Sequence, residues 1–129
     1  MKKPIQSFRD LEVYKQAFAF QQDVFRISNK WPKEETYSLT GQIRRSSRAI
    51  GANIAEAWAK RRYEAHFISK LTDADGELQE SLHWLLSAEA CEYVPTLECR
   101  KLVIVLEGIG RQLGAMMAQS ALFCHTIKA

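Results

Sequence analysis

Residues 31–58, WPKEETYSLTGQIRRSSRAIGANIAEAW, decide the fold of this chain. Pro32 has no backbone N–H to donate and biases Trp31 out of the α region, so a helix must end before it. Beyond the break, a new helix is predicted to start between Lys33 and Thr40 and to continue to about Arg62. Leu39, Ile43, Ile50, Ile54 and Ala57 recur at heptad-like steps and form its core stripe. Gly51, Ala52, Ala55 and Ala59 lie beside that stripe. Residues this small let a neighbouring helix approach closely.

The flanking sequence is helical too. Ser7 is a candidate N-cap for a first helix running to about Asn29, with Leu11, Tyr14, Phe18, Val24 and Phe25 on its apolar face. A third helix is predicted over Glu64 to Glu92, carrying Phe67, Leu71, Ala74, Leu78, Leu82 and Leu85. Pro95 separates it from a fourth, Thr96 to Ile127, carrying Leu102, Leu106, Ile109, Leu113, Met116 and Phe123. Gly108, Gly110 and Gly114 each cost that helix up to ~1 kcal/mol relative to alanine, a cost usually tolerated for close packing. Four long amphipathic helices with short connections imply an all-α, antiparallel up-down four-helix bundle forming a single domain over residues 1–129. At 1.5 Å per residue the helices are roughly 35 to 45 Å long.

Composition narrows the class. The apolar fraction of 47% and the charged fraction of 26% are those of a globular protein, which sets disorder aside. The net charge of +3 permits an anionic partner without requiring one. MKKPIQSF lacks the apolar stretch of a signal peptide, and no run is long enough to span a bilayer, so no membrane partner is expected. Cys91, Cys99 and Cys124 are odd in number and lack CxxC spacing, which reads as reduced thiols in a cytoplasmic protein.

Charge is unevenly distributed. Arg44, Arg45 and Arg48 cluster on helix two, and Lys60, Arg61 and Arg62 close it, against the single acid Glu56. Such a face could contact phosphates. Residues 72–92, however, carry six acids and no lysine or arginine. A hairpin turning near Tyr63 sets Arg45 level with Ser81 and Arg48 level with Leu78, within a turn of Glu77 and Glu80. Structural ion pairing and a nucleic-acid surface therefore both stand as readings of the arginines. The terminal basic run also suits a helix C-terminus.

Asn53 and Glu56 are the odd polar residues in an alanine-rich stretch and either join a polar cluster or face solvent. Trp58, Tyr63, Phe67 and Trp84 either stack on bases or pack in the core. Trp84-Leu85-Leu86 and Val103-Ile104-Val105 exceed what one bundle core needs, which suggests self-association. Glu80-x-x-His83 is half of a di-iron bundle motif, but Tyr63 and Leu122 stand where His66 and His125 would need glutamates. No metal, no cofactor and no catalytic constellation are expected.

Several motifs together resemble a family. Phe8-x-x-Leu11, Pro32-x-x-Glu35-x-Tyr37-x-Leu39-Thr40-x-Gln42-Ile43-Arg44-Arg45-Ser46, Asn53-Ile54-Ala55-Glu56 and Asp73-Ala74-Asp75-Gly76-Glu77-x-x-Glu80, then Trp84-Leu85 and Ala88, are similar to the four-helix bundle proteins encoded by intervening sequences in bacterial 23S rRNA genes. The resemblance covers roughly residues 8–94. It departs at Ala57, where the family usually has glycine, and at Lys60-Arg61-Arg62, where the family's basic spacing differs. It implies a small bacterial cytoplasmic protein without catalysis, associated with ribosomal RNA. It further implies homo-oligomers, pentameric in similar bundles, and a kinship with accessory proteins of reverse transcriptases. Carried over by position, the residues to watch are Gln42, Arg44, Arg45, Asn53 and Glu56, with Glu77 and Glu80 completing a possible polar cluster.

Overall fold

The computed structural model describes residues 4–124. Four α-helices and three short 3-10 turns account for the regular structure, with no strand among the described residues. The helices are α1 (Glu12–Ser28), α2 (Leu39–Ala59), α3 (Glu64–Ala90) and α4 (Thr96–Ala118). The chain is thus all-α with four helices, as the sequence predicts.

Several boundaries differ from the sequence reading. Ser7 caps a 3-10 turn, Phe8–Asp10, rather than α1 itself. Its hydroxyl accepts from the Arg9 N–H while the Asp10 carboxylate accepts from Ser7, a reciprocal capping box. The backbone N–H groups of Gln6 and Ser7 both donate to the Asp10 carboxylate and hold it below its ordinary pKa. α2 closes at Ala59, so Lys60, Arg61 and Arg62 form the turn into α3. It is unbroken from Asn53 through Ala57. α3 closes at Ala90, and Glu92 turns the chain with a φ of 63°. α4 closes at Ala118, followed by a 3-10 turn over Ser120–Leu122. Residues 125–127 of the predicted fourth helix lie outside the described residues.

Helix α2 packs on both α1 and α3, and α4 packs on both α3 and α1. One core runs between them, with Phe20, Phe67, Ile43, Ile50, Ile54, Leu71, Leu85, Leu106, Ile109 and Leu113 fully buried. Truncating any of the larger ones to alanine costs about 2–5 kcal/mol. The α2, α3 and α4 stripes match the sequence reading closely, although Leu82 and Phe123 are only partly buried. The α1 stripe matches in part: Leu11 and Val24 are buried as expected, and Tyr14 is partly buried. Its buried residues are Val13, Ala17, Phe20 and Val24, which follow a four-three-four spacing, whereas Phe18 and Phe25 are 45% and 40% exposed. Of the α4 glycines, only Gly110 lies against α3, with Leu78 and Asp75 about 4 Å from where a Cβ would stand.

Candidate functional surface on the second helix

The three arginines of α2 divide between two neighbours because consecutive helical residues point about 100° apart. Arg45 faces α3. Its Nη1 lies 3.2 Å from Glu77 and its Nη2 2.5 Å from Glu80. The Arg45 guanidinium holds the Glu80 carboxyl below the usual carboxylate range, and Glu80 in turn raises Arg45. Beneath this pair, Ser81 donates to Ser46 at 2.8 Å, and both side chains are fully buried. Nearer the hairpin turn, Lys70 lies 2.9 Å from Glu56 and 3.7 Å from Asp73. The α2 partner numbers rise as the α3 numbers fall, so the two helices run antiparallel. Their register rests on these contacts.

Arg44 and Arg48, four residues apart, share the face toward α1. This corrects the expectation that Arg48 sits beside Glu77 and Glu80. Arg44 Nε donates to the buried Ser28 hydroxyl at 2.9 Å. Its Nη2 donates to Asn29 Oδ1 at 3.0 Å and to the Phe25 carbonyl at 3.4 Å. Its guanidinium also lies 4.7 Å from the Phe25 ring centre. All three acceptors belong to the C-terminal end of α1, where free carbonyls and the helix dipole favour a cation. Arg48 is exposed, with its guanidinium 5.9 Å from the same ring and no carboxylate partner among the described residues.

The basic run after α2 is similarly mixed. Arg61 donates to the Trp58 carbonyl at 2.8 Å and stacks over the Trp58 indole at 3.9 Å, capping the helix. Arg62 is exposed beside the Tyr63 ring, and Lys60 is exposed. The residues grouped by sequence as a polar cluster do not meet at one place. Glu77 and Glu80 hold Arg45, Glu56 holds Lys70, Asn53 donates to the Ala49 carbonyl of its own helix, and Gln42 is exposed near the opposite end.

Several grooves flank these helices. Between α3 and α4 lies one of about 580 Å³, lined by Leu86, Val103, Ile104 and Cys99 with Glu89 and Arg100. Within it Leu86 and Ile104 are exposed by 47% and 64%, and Leu97 on α4 is exposed by 68%. Between α1 and α2 lies one of about 300 Å³, with Phe8, Tyr14 and Phe18 above a floor of Gly51, Ala52 and Ala55.

Sequence reasoning missed a further polar contact. Glu35 accepts from the Leu39 N–H at 3.4 Å and from the Tyr93 hydroxyl at 2.8 Å, so it caps α2 and clasps the α3–α4 connection. The bond pushes the Tyr93 hydroxyl up to about 12. The Trp31 ring, buried rather than merely flanking a break, lies 6.0 Å from the Tyr93 ring. The signal was present in Glu35 of the family motif, but its partner stands 58 residues beyond it. Among the described residues, no group of three histidines, cysteines or acids is placed to hold a metal.

The four helices and their arginine-centred contacts define an all-α helical protein. The chain belongs to the 23S rRNA-intervening sequence protein family, whose model matches residues 9–115. It is similar to a crystal structure of a protein with unknown function from the S23 ribosomal protein family of Bacteroides thetaiotaomicron. That likeness has a TM-score of 0.75 at 26% identity, covering 82% of this chain and 95% of the other. A search of curated proteins finds no match. No helix among the described residues is long and apolar enough to cross a membrane.

Proposed function

We propose that this chain is a non-enzymatic, self-associating helical scaffold: an antiparallel up-down four-helix bundle acting in the cytoplasm as a ring-like homo-oligomer. The observation that carries the reading is the aliphatic surface on α3 and α4, where Leu86 and Ile104 stand exposed in the groove and Leu97 is exposed on α4. Exposed apolar side chains at such density mark contact surfaces. The contacts of Arg44, Arg45 and Arg61 support the same reading, since all three are engaged within the chain. The family resemblance favours five copies, and a protein client such as a reverse transcriptase fits a scaffold of this kind.

Light scattering tests the reading directly. The wild-type mass should be a multiple of 14.8 kDa, and Ile104→Glu should reduce it toward a single chain while helicity is kept. A wild-type mass of one chain at micromolar concentration would refute self-association. RNA binding remains a second reading for one reason: Arg48, Lys60 and Arg62 have no carboxylate partner among the described residues.

A further inference from the structure

Two of the grooves differ in chemistry. The α3–α4 groove is aliphatic, with one acid and one base on its rim. The α1–α2 groove is aromatic, and no carboxylate lines it: Arg48 is its single charge and Gln21 its amide. Tyr14 stacks with Phe18 at 6.2 Å and 29°, and Phe8 meets Tyr14 edge-on at 4.8 Å. The floor is small and close to the rings: a Cβ on Gly51 would stand 3.4 Å from the Tyr14 ring, in van der Waals contact. Phe18 is nearly half exposed, so the aromatic ladder ends at a ring open to solvent.

An aliphatic face offers a ligand only dispersion, whereas an aromatic face also offers stacking to any base. A phosphate backbone is repelled by carboxylates and attracted to an unpaired guanidinium. Arg48 stands at the edge of the aromatic ladder without an acid to neutralise it. The groove volume sits at the lower limit, ~300 Å³, of small-ligand sites.

We infer that the α1–α2 groove binds a segment of single-stranded nucleic acid, one base stacking against Phe18 and Tyr14 while Arg48 meets a flanking phosphate. The inference goes beyond the scaffold reading and uses a different face, so each can fail alone.

The test is fluorescence anisotropy of a labelled oligouridylate of about ten nucleotides with the full chain, titrated at 50 mM and 200 mM salt, alongside light scattering. Phe18→Ala should weaken binding about tenfold. Arg48→Ala should weaken it and make the salt slope shallower by about 0.7, one single-strand phosphate. Ala52 is exposed on the groove floor. Ala52→Glu should therefore abolish binding with the fold intact. Arg45→Ala, whose guanidinium is held by α3, should bind as wild type.

No binding by the wild type at tens of micromolar and 50 mM salt would overturn the inference. So would wild-type affinity in Ala52→Glu, or equal losses in Arg45→Ala and Arg48→Ala. A drop in mass on Phe18→Ala would instead mark the groove as a contact between copies and also overturn it. A monomeric wild type whose groove variants still lose RNA would sink the scaffold reading and leave this one standing.

Discussion

Replacing Arg44 with alanine should destabilise this protein more than replacing Arg45, although Arg45 has the two carboxylate partners. Arg44 gives up three hydrogen bonds to the end of α1, one of them to a hydroxyl that is 3% exposed. Bonds from a charged donor are worth about 1.5–3 kcal/mol each where water is excluded. Here they share one half-buried side chain and do not add, so the expected loss is ~2 kcal/mol. The Arg45 side chain is 49% exposed, and its partners are 25% and 35% exposed. Solvent screening limits such a pair to about 0.5–1 kcal/mol. At ~4 °C per kcal/mol for a chain of this size, Tm should fall by about 8 °C for Arg44→Ala and by about 2–4 °C for Arg45→Ala. Arg44→Lys should recover less than half, because one ammonium cannot reach Ser28 and Asn29 together with the same geometry. The measurement is thermal circular dichroism with urea titration, all variants at one protomer concentration because self-association shifts Tm. A loss in Arg45→Ala equal to or above that in Arg44→Ala would refute this account of the arginines.

Three further outcomes follow from the same contacts. Ser46→Ala should cost ~1–2 kcal/mol by stranding the buried Ser81 hydroxyl, Ser81→Ala should cost less because Ser46 still donates to the Ile43 carbonyl, and the double variant should cost less than their sum in a urea-denaturation cycle. The carboxyls of Glu80 and Glu56 are held below their ordinary 4.5, by Arg45 and Lys70 respectively. Their stabilisation is therefore complete above that value and is lost as pH falls through the lower folded-state values. Denaturation curves from pH 6 to 3 should show this decline, and Glu80→Gln should flatten it. Burial pushes the Cys99 thiol up to about 11, while Cys91 is exposed. A thiol reagent at pH 8 should label Cys91 first and reach Cys99 only on unfolding.

Much of the fold was legible because its punctuation is strong. Pro32 and Pro95 stand just before new helical segments, and the isoleucine and leucine stripes of α2, α3 and α4 are the observed core. Hairpin register set Arg45 within a turn of Glu77 and Glu80 but left ion pairing and a nucleic-acid surface both open, and the structure shows the pairing. Register gives height along a helix but not direction around it, and that is why Arg48 was set beside the wrong neighbour. Arg44 lies about 100° and Arg48 about 60° round the helix from Arg45, both toward α1. The α1 face went astray for a related reason. Tyr14, Phe18 and Phe25 repeat at helical spacing as well as Val13, Ala17 and Phe20 do, so periodicity alone left the choice of face open. A seam of exposed aromatics looks like core until a second seam is seen to fill it. Long-range partners such as Glu35 and Tyr93 leave no periodic trace at all.

The clasp between Glu35, Tyr93 and Trp31 ties together two connections that are remote in sequence. Since Glu35 also caps the first turn of α2, neither connection can open without releasing the other. The α1–α2 and α3–α4 linkers should then behave as one opening unit in hydrogen exchange, with a shared protection that Tyr93→Phe lowers in both. A protease site or an inserted loop placed in either linker would report on the integrity of its distant counterpart.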